Sequence, residues 1–148
     1  MVSTARAAAC SALVLIALTA VLSGCGGKAA QTGGGGAQVV SVRERDFKIS
    51  VSTTHVDAGE VVFRDRNLGP DAHELIVVRS DRAGLRLRAD GMTVDEDGLE
   101  KLIVGALEPG SAGETRELRV LLVPGTYTLL CNMYGHYMGG MHSTLVVA

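Results

Sequence analysis

The chain has no tryptophan, only two phenylalanines and three tyrosines, and just three cysteines and three prolines among 148 residues. With so few rings, any core must be filled by aliphatic side chains, and an apolar content of 47% is ample for that. A basic surplus is missing as well, since 14 Lys+Arg stand against 16 Asp+Glu, a formal charge of −2. That balance excludes a nucleic-acid binder, which needs excess cations to neutralise phosphates. The apolar content excludes a disordered, highly charged tail. The length accommodates one domain with a leader and a linker, but not two full domains.

The one long apolar run lies at the N-terminus. Arg6 precedes about sixteen mostly apolar residues, Ala7 to Leu22, short for a bilayer span and of the length of a secretory leader core. The run ends in Leu22-Ser23-Gly24-Cys25, which resembles a bacterial lipobox. The resemblance implies a lipoprotein signal peptide over 1–24 and acylation of Cys25, which would hold the mature chain at a cell membrane, facing the periplasm or the exterior. Several acyl chains anchor a protein firmly, whereas one is marginal. After Cys25, residues 26–37 hold six glycines and no large apolar side chain, so 25–37 is a flexible tether. Gly33 to Gly36 lacks the preceding strand and the following Lys-Ser/Thr of a phosphate-binding loop.

Cysteine usage follows from this. Cys10 leaves with the leader and Cys25 carries lipid, so Cys131 is the one thiol left to the mature chain. An unpaired thiol in an oxidising compartment needs a protector, and no disulfide within the chain can supply it.

Residues 38–148 alternate short β-branched runs with turn residues. Candidate strands are 39–42, 47–51, 60–64, 74–78, 102–104, 118–123, 126–131 and 144–147. About eight strands without a βαβ rhythm make an all-β sandwich or barrel. Glu108-Pro109-Gly110 and Pro124-Gly125 read as turns. Residues 80–98 are polar and read as a long loop with one helical turn, and Asp95 to Gly98 as a solvated acidic turn without calcium-loop spacing. Arginines 79, 82, 86 and 88, alternating with Asp81 and Asp90, read as a solvated charged face. Tyr127, just after the Pro-Gly turn, reads as a corner packing residue.

The chemistry concentrates in residues 131–141, where Cys131, His136 and Met141 form C-x4-H-x4-M. Thiolate, imidazole and thioether together suit a soft, redox-active metal, above all copper. Zinc rarely recruits a thioether, and iron–sulfur clusters need more thiolates than one. A blue copper centre adds a second imidazole, which must come from another strand. His73 is the best placed, opening a strand after a Gly-Pro-Asp-Ala turn. His55 reads as an exposed turn residue, and the strand after His142 turns that side chain away.

On these residues the domain resembles the cupredoxins, the small blue copper proteins of the plastocyanin, azurin and sulfocyanin type. The matching stretches are residues 56–63, residues 67–74, and Pro124 through Cys131 and His136 to Met141. The resemblance implies a Greek-key β-sandwich with one type 1 copper ion bound near one end by His73, Cys131, His136 and Met141. It also implies a monomeric electron carrier, not an enzyme, that exchanges electrons with redox protein partners. Three departures bear on the surroundings of the ligands: Glu74 replaces a frequent Asn that braces the ligand loop, Leu129 replaces a frequent aromatic, and the Cys-to-His spacing exceeds that of plastocyanin. Met133, Tyr134, Gly135, Tyr137, Met138, Gly139 and Gly140 are small or apolar and would form either an uncharged docking patch around His136 or only a shield between copper and water. The alternative is copper(I) delivery or storage, with Met133, Met138 and His142 as a secondary site. Multicopper enzymes need more histidines than His55 and His142 could add, and a binuclear copper site needs two loop cysteines.

Overall fold

The computed structural model describes residues 36–80 and 84–148; the expected leader, Cys25 and nearly all of the tether fall outside them, as do Asp81 and Arg82. Nine strands follow in order: β1 Gln38–Arg45, β2 Lys48–Val51, β3 His55–Val56, β4 Gly59–Asn67, β5 His73–Arg79, β6 Ile103–Gly110, β7 Thr115–Leu122, β8 Gly125–Leu130 and β9 His142–Val147. They form two sheets, ordered β2-β1-β4-β7 and β3-β9-β8-β5-β6. The pairings β1 with β4 and β3 with β9 are parallel, the others antiparallel. The architecture is a β-sandwich.

Period-two alternation explains the layers. β1 turns Val40 and Val42 inward and β4 does the same with Val61 and Phe63, where they meet Leu122, Leu129 and Leu145. β5 departs from alternation because both of its faces are covered. Leu75 and Val77 enter the main core, while Ile76 and Val78 join a smaller cluster with Val94, Leu130 and Tyr137. Tyr127 is buried and its hydroxyl donates to the Val123 carbonyl at 2.9 Å, the corner role expected of it.

Several expectations are corrected. Glu108-Pro109-Gly110 is not a turn but the end of β6, which is tolerated because β6 is an edge strand and a proline there breaks no second ladder. The chain reverses instead at 111–114, where Gly113 N–H bonds to the Asn67 carbonyl at 2.8 Å. His55 is exposed as expected, but it opens a short strand paired with Val146. Phe47 lies outside β2, in the turn of the β1–β2 hairpin.

Pairing of Ile76 with Leu130 and of Leu130 with His142 places the start of β5, the end of β8 and the start of β9 at one end of the sandwich. That end holds the residues singled out by chemistry.

Candidate metal centre

Each element delivers one side chain. His73 is the first residue of β5, Cys131 follows the last residue of β8, and Met141 precedes β9. The intervening loop is pinned by its own backbone: Cys131 N–H donates to the Met141 carbonyl (3.1 Å), Met141 N–H to the His136 carbonyl (2.9 Å) and His136 N–H to the Met133 carbonyl (2.8 Å). His73, Cys131 and Met141 are wholly buried and His136 is nearly so.

The donor atoms of His73, Cys131 and His136 all lie within 4.8 Å of one another. Cys131 Sγ is 3.4 Å from His136 Nδ1, and the two imidazole centroids are 5.1 Å apart. Met141 shares the core cluster with Cys131. His73 Nδ1 has no hydrogen-bond partner, and Nε2 lies 3.1 Å from Asp46 Oδ1, off the line of a hydrogen bond. An orphaned buried ring nitrogen beside a thiol and a second imidazole is costly unless something binds there. Burial pushes the Cys131 thiol up to about 11. Burial, then the nearby His136, holds the His73 imidazole below its usual range, against the pull of Asp46. The donor set of one thiol and two imidazoles, with a thioether close by, fits one type 1 copper ion.

Three supports around this cluster escape the motif. Glu74 Oε1 accepts the Asn132 N–H at 3.0 Å, so it braces the ligand loop in place of the more usual Asn. Burial and the neighbouring Glu96 raise its pKa. The Asn132 side chain clamps residues 92–96 onto the loop: Oδ1 accepts Val94 N–H (2.5 Å), and Nδ2 donates to the Val94 carbonyl (3.1 Å) and Glu96 Oε1 (2.5 Å). Gly135 N–H bonds to the Met92 carbonyl and Leu85 N–H to the Tyr137 hydroxyl. The described part of the segment read as a loop is therefore a strap over the ligand loop, with a 3-10 turn at Asp97–Leu99. It also removes Tyr137 from the expected docking patch, since Tyr137 is buried under it. Tyr134 and Met138 remain exposed and Met133 is half-buried.

Beneath His73 lies Arg116. Its Nη2 bonds to Asp65 Oδ2 (2.5 Å), Glu44 Oε2 (3.3 Å) and the His73 carbonyl (3.2 Å), and its Nη1 to the Glu108 carbonyl. Gly110 is required here, because a Cβ would fall 2.6 Å from the guanidinium carbon. The signal was in the alternation: Glu44 shares the inward parity of Val40 and Val42, and Asp65 that of Val61 and Phe63.

No family profile and no curated protein sequence matches the chain. Solved structures do. Auracyanin A, a "blue" copper protein from Chloroflexus aurantiacus, is 23% identical with a TM-score of 0.57, covering 76% of this chain and 100% of its own. An auracyanin from Roseiflexus castenholzii is 18% identical with a TM-score of 0.56, covering 77% and 99%. The azurin Az-iso2 of Methylomonas sp. strain J is 18% identical with a TM-score of 0.53, covering 75% and 98%. The fold is that of the cupredoxins.

Proposed function

We propose that this chain is a copper-binding one-electron carrier, tethered by an acylated Cys25 to the extracytoplasmic side of a membrane. The observation that carries the reading is the buried meeting of a solitary thiol with two imidazoles from separate elements. His73, Cys131 and His136 would hold the ion, with Met141 as a weak fourth ligand. When bound, the ion supplies a one-electron couple. The chain's own contribution is to fix the donors: β5 and β8 are neighbours in one sheet, and Glu74 and Asn132 clamp the loop that joins Cys131 to His136. Donors that cannot move impose similar positions on both oxidation states, so little rearrangement accompanies electron exchange. Exposed Tyr134 and Met138 flank His136, where redox protein partners would make contact. The tether reading is supported by the lipobox-like residues 22–25 and the glycine-rich stretch that follows.

The test is addition of copper(II) to protein purified without residues 1–24. An intense blue band at one copper per chain is expected, bleached by a reductant and restored by an oxidant. A colourless protein that yields copper(I) readily to a chelator would make it a delivery protein instead.

Asp46 offers a second measurement. A carboxylate beside Nε2 of His73 would make that imidazole a better donor to the oxidised ion through Nδ1. Asp46→Asn removes the charge and keeps the size, so the reduction potential is expected to rise, by about 59 mV for each tenfold shift in the one-electron equilibrium. An unchanged or lower potential by voltammetry would show that the carboxylate does not act on the site.

A further inference from the structure

The β1–β2 hairpin reaches over the metal end. Its two-residue turn is Asp46-Phe47, closed by Arg45 opposite Lys48. Phe47 adopts φ 61°, a left-handed conformation that is strained for a bulky residue and that glycine or asparagine would adopt more easily. The ring is 53% exposed, yet it meets His136 edge-on at 5.4 Å and 67°. A side chain at position 139 would collide with it, so Gly139 leaves the space the ring occupies. Stability alone does not favour a strained, half-exposed phenylalanine at this turn.

The charges around the turn are equally unfavourable for folding. Arg45 lies opposite Lys48 and Arg43 opposite Arg66, and like charges facing each other across strands are destabilising. All four are exposed, and among the described residues none has a carboxylate within ion-pair distance. Other cations on the same sheet are paired, Arg64 with Glu117 at 3.0 Å and Arg119 with Glu60 at 3.4 Å. Of the arginines read as a charged face, Arg86 is paired with Asp95 and Arg88 with Asp97, while Arg79 donates to the Pro124 carbonyl. The tip's own carboxylate, Asp46, is turned toward His73. Arg43, Arg45 and Lys48 line one hollow with Ser50 and Leu68, so an anion placed there meets three cations at once. A chain of formal charge −2 thus concentrates unpaired positive charge beside the exposed ring that covers His136.

We infer that the β1–β2 hairpin tip is the recognition surface for an acidic protein electron-transfer partner, with Phe47 as the apolar contact and Arg43, Arg45, Lys48 and Arg66 receiving the partner's carboxylates. The inference rests on the copper reading above. Charge complementarity selects the partner, and proximity to His136 selects a protein over an anionic membrane, since lipid seated there would cover the route for electrons. The eight residues of β1, at about 3.3 Å each, also separate this tip from Gln38, where the tether would join. Attraction between the cations and an acidic face raises the encounter rate and aligns the partner, an effect that salt removes.

The test compares copper-loaded wild type with Arg45→Glu/Lys48→Glu. The reduced proteins are oxidised by hexacyanoferrate(III), an anion, and by tris(phenanthroline)cobalt(III), a cation. At low ionic strength the variant is expected to react about tenfold more slowly with the anion and faster with the cation, both differences fading in high salt. A deca-glutamate peptide is expected to inhibit the anionic reaction of the wild type and not that of the variant. The visible band should be the same in both proteins, which shows the site intact. If the wild type shows no blue band, the copper reading falls and the docking role with it. If the band is present but both oxidants treat the proteins alike, the docking surface alone is overturned. If phosphatidylserine vesicles bind the wild type and not the variant while deca-glutamate has no effect, the surface belongs to a membrane instead.

Discussion

Arg116→Met is expected to destabilise the domain by about 3–5 kcal/mol, because removing one partner of a buried ionic cluster strands the other. Arg116 is nearly buried, and it is the cation serving Glu44 and Asp65, both of which have no exposed side-chain surface. Methionine fills much of the volume but removes the guanidinium bonds to Asp65 Oδ2, Glu44 Oε2 and the carbonyls of His73 and Glu108. Urea unfolding of the metal-free protein should show the midpoint falling at an unchanged m-value. Because Arg116 also holds the His73 carbonyl, the blue band of the copper-loaded variant should shift or broaden. A loss below about 1 kcal/mol would mean the cluster is solvated and not a structural tie.

The same cluster sets a pH dependence. Burial, followed by the charge of Asp65, pushes the Glu44 carboxyl up to about 9, against the opposing pull of Arg116. Burial raises Asp65 as well, against its bonds to Arg116. Between its ordinary value of 4.5 and about 9, Glu44 keeps a proton in the folded protein that it loses on unfolding. The stabilisation is therefore complete below pH 4.5 and is lost as pH rises toward 9, by at most about 1.4 kcal/mol per unit. The thermal midpoint of the metal-free protein is expected to fall between pH 7 and pH 9, above the range where the lowered His73 imidazole adds stability as pH rises. Glu44→Gln, which cannot titrate, should flatten that slope. A midpoint that rises over this range would mean that Glu44 is ionised in the folded state.

Cys131→Ser is the second large effect. The intense visible absorption should vanish altogether, since it requires a thiolate bonded to the ion. Copper(II) affinity should fall by more than the about 10–100-fold that follows loss of an outer-shell partner. With the thiol held near 11 by burial, copper uptake at neutral pH must displace its proton, and the serine variant should release none. Cys131 lies in the apolar core, so the buried serine hydroxyl should also lower the metal-free unfolding midpoint, and unfolding with and without copper separates loss of a ligand from loss of packing. Retention of the blue band in the serine variant would remove Cys131 from the site.

How much of this was legible beforehand follows from the range of each signal. Alternation in β1, β4 and β8, the Pro124-Gly125 turn and the run at 131–141 are local patterns, read within a few residues. They sufficed for a sandwich and for the candidate set His73, Cys131, His136 and Met141. The boundary errors have local causes with distant resolutions. Pro109 breaks a strand unless the strand is an edge, and only the sheet order decides that. Phe47 looks like a strand residue until the hairpin folds back and His136 supplies a ring to meet it.

By itself, then, the amino-acid order pointed to the class of fold and supplied the candidate donors His73, Cys131, His136 and Met141, because periodicity and side-chain chemistry are written residue by residue. Tertiary structure alone decided which carboxylate faces His73, that residues 85–96 strap the ligand loop through Asn132 and Tyr137, and that four cations gather unpaired beside Phe47. Those outcomes join residues tens of positions apart. The first two depend on burial and on the low dielectric of the interior, and the third on which strands lie side by side, all of which exist only once the two sheets have formed and closed on each other.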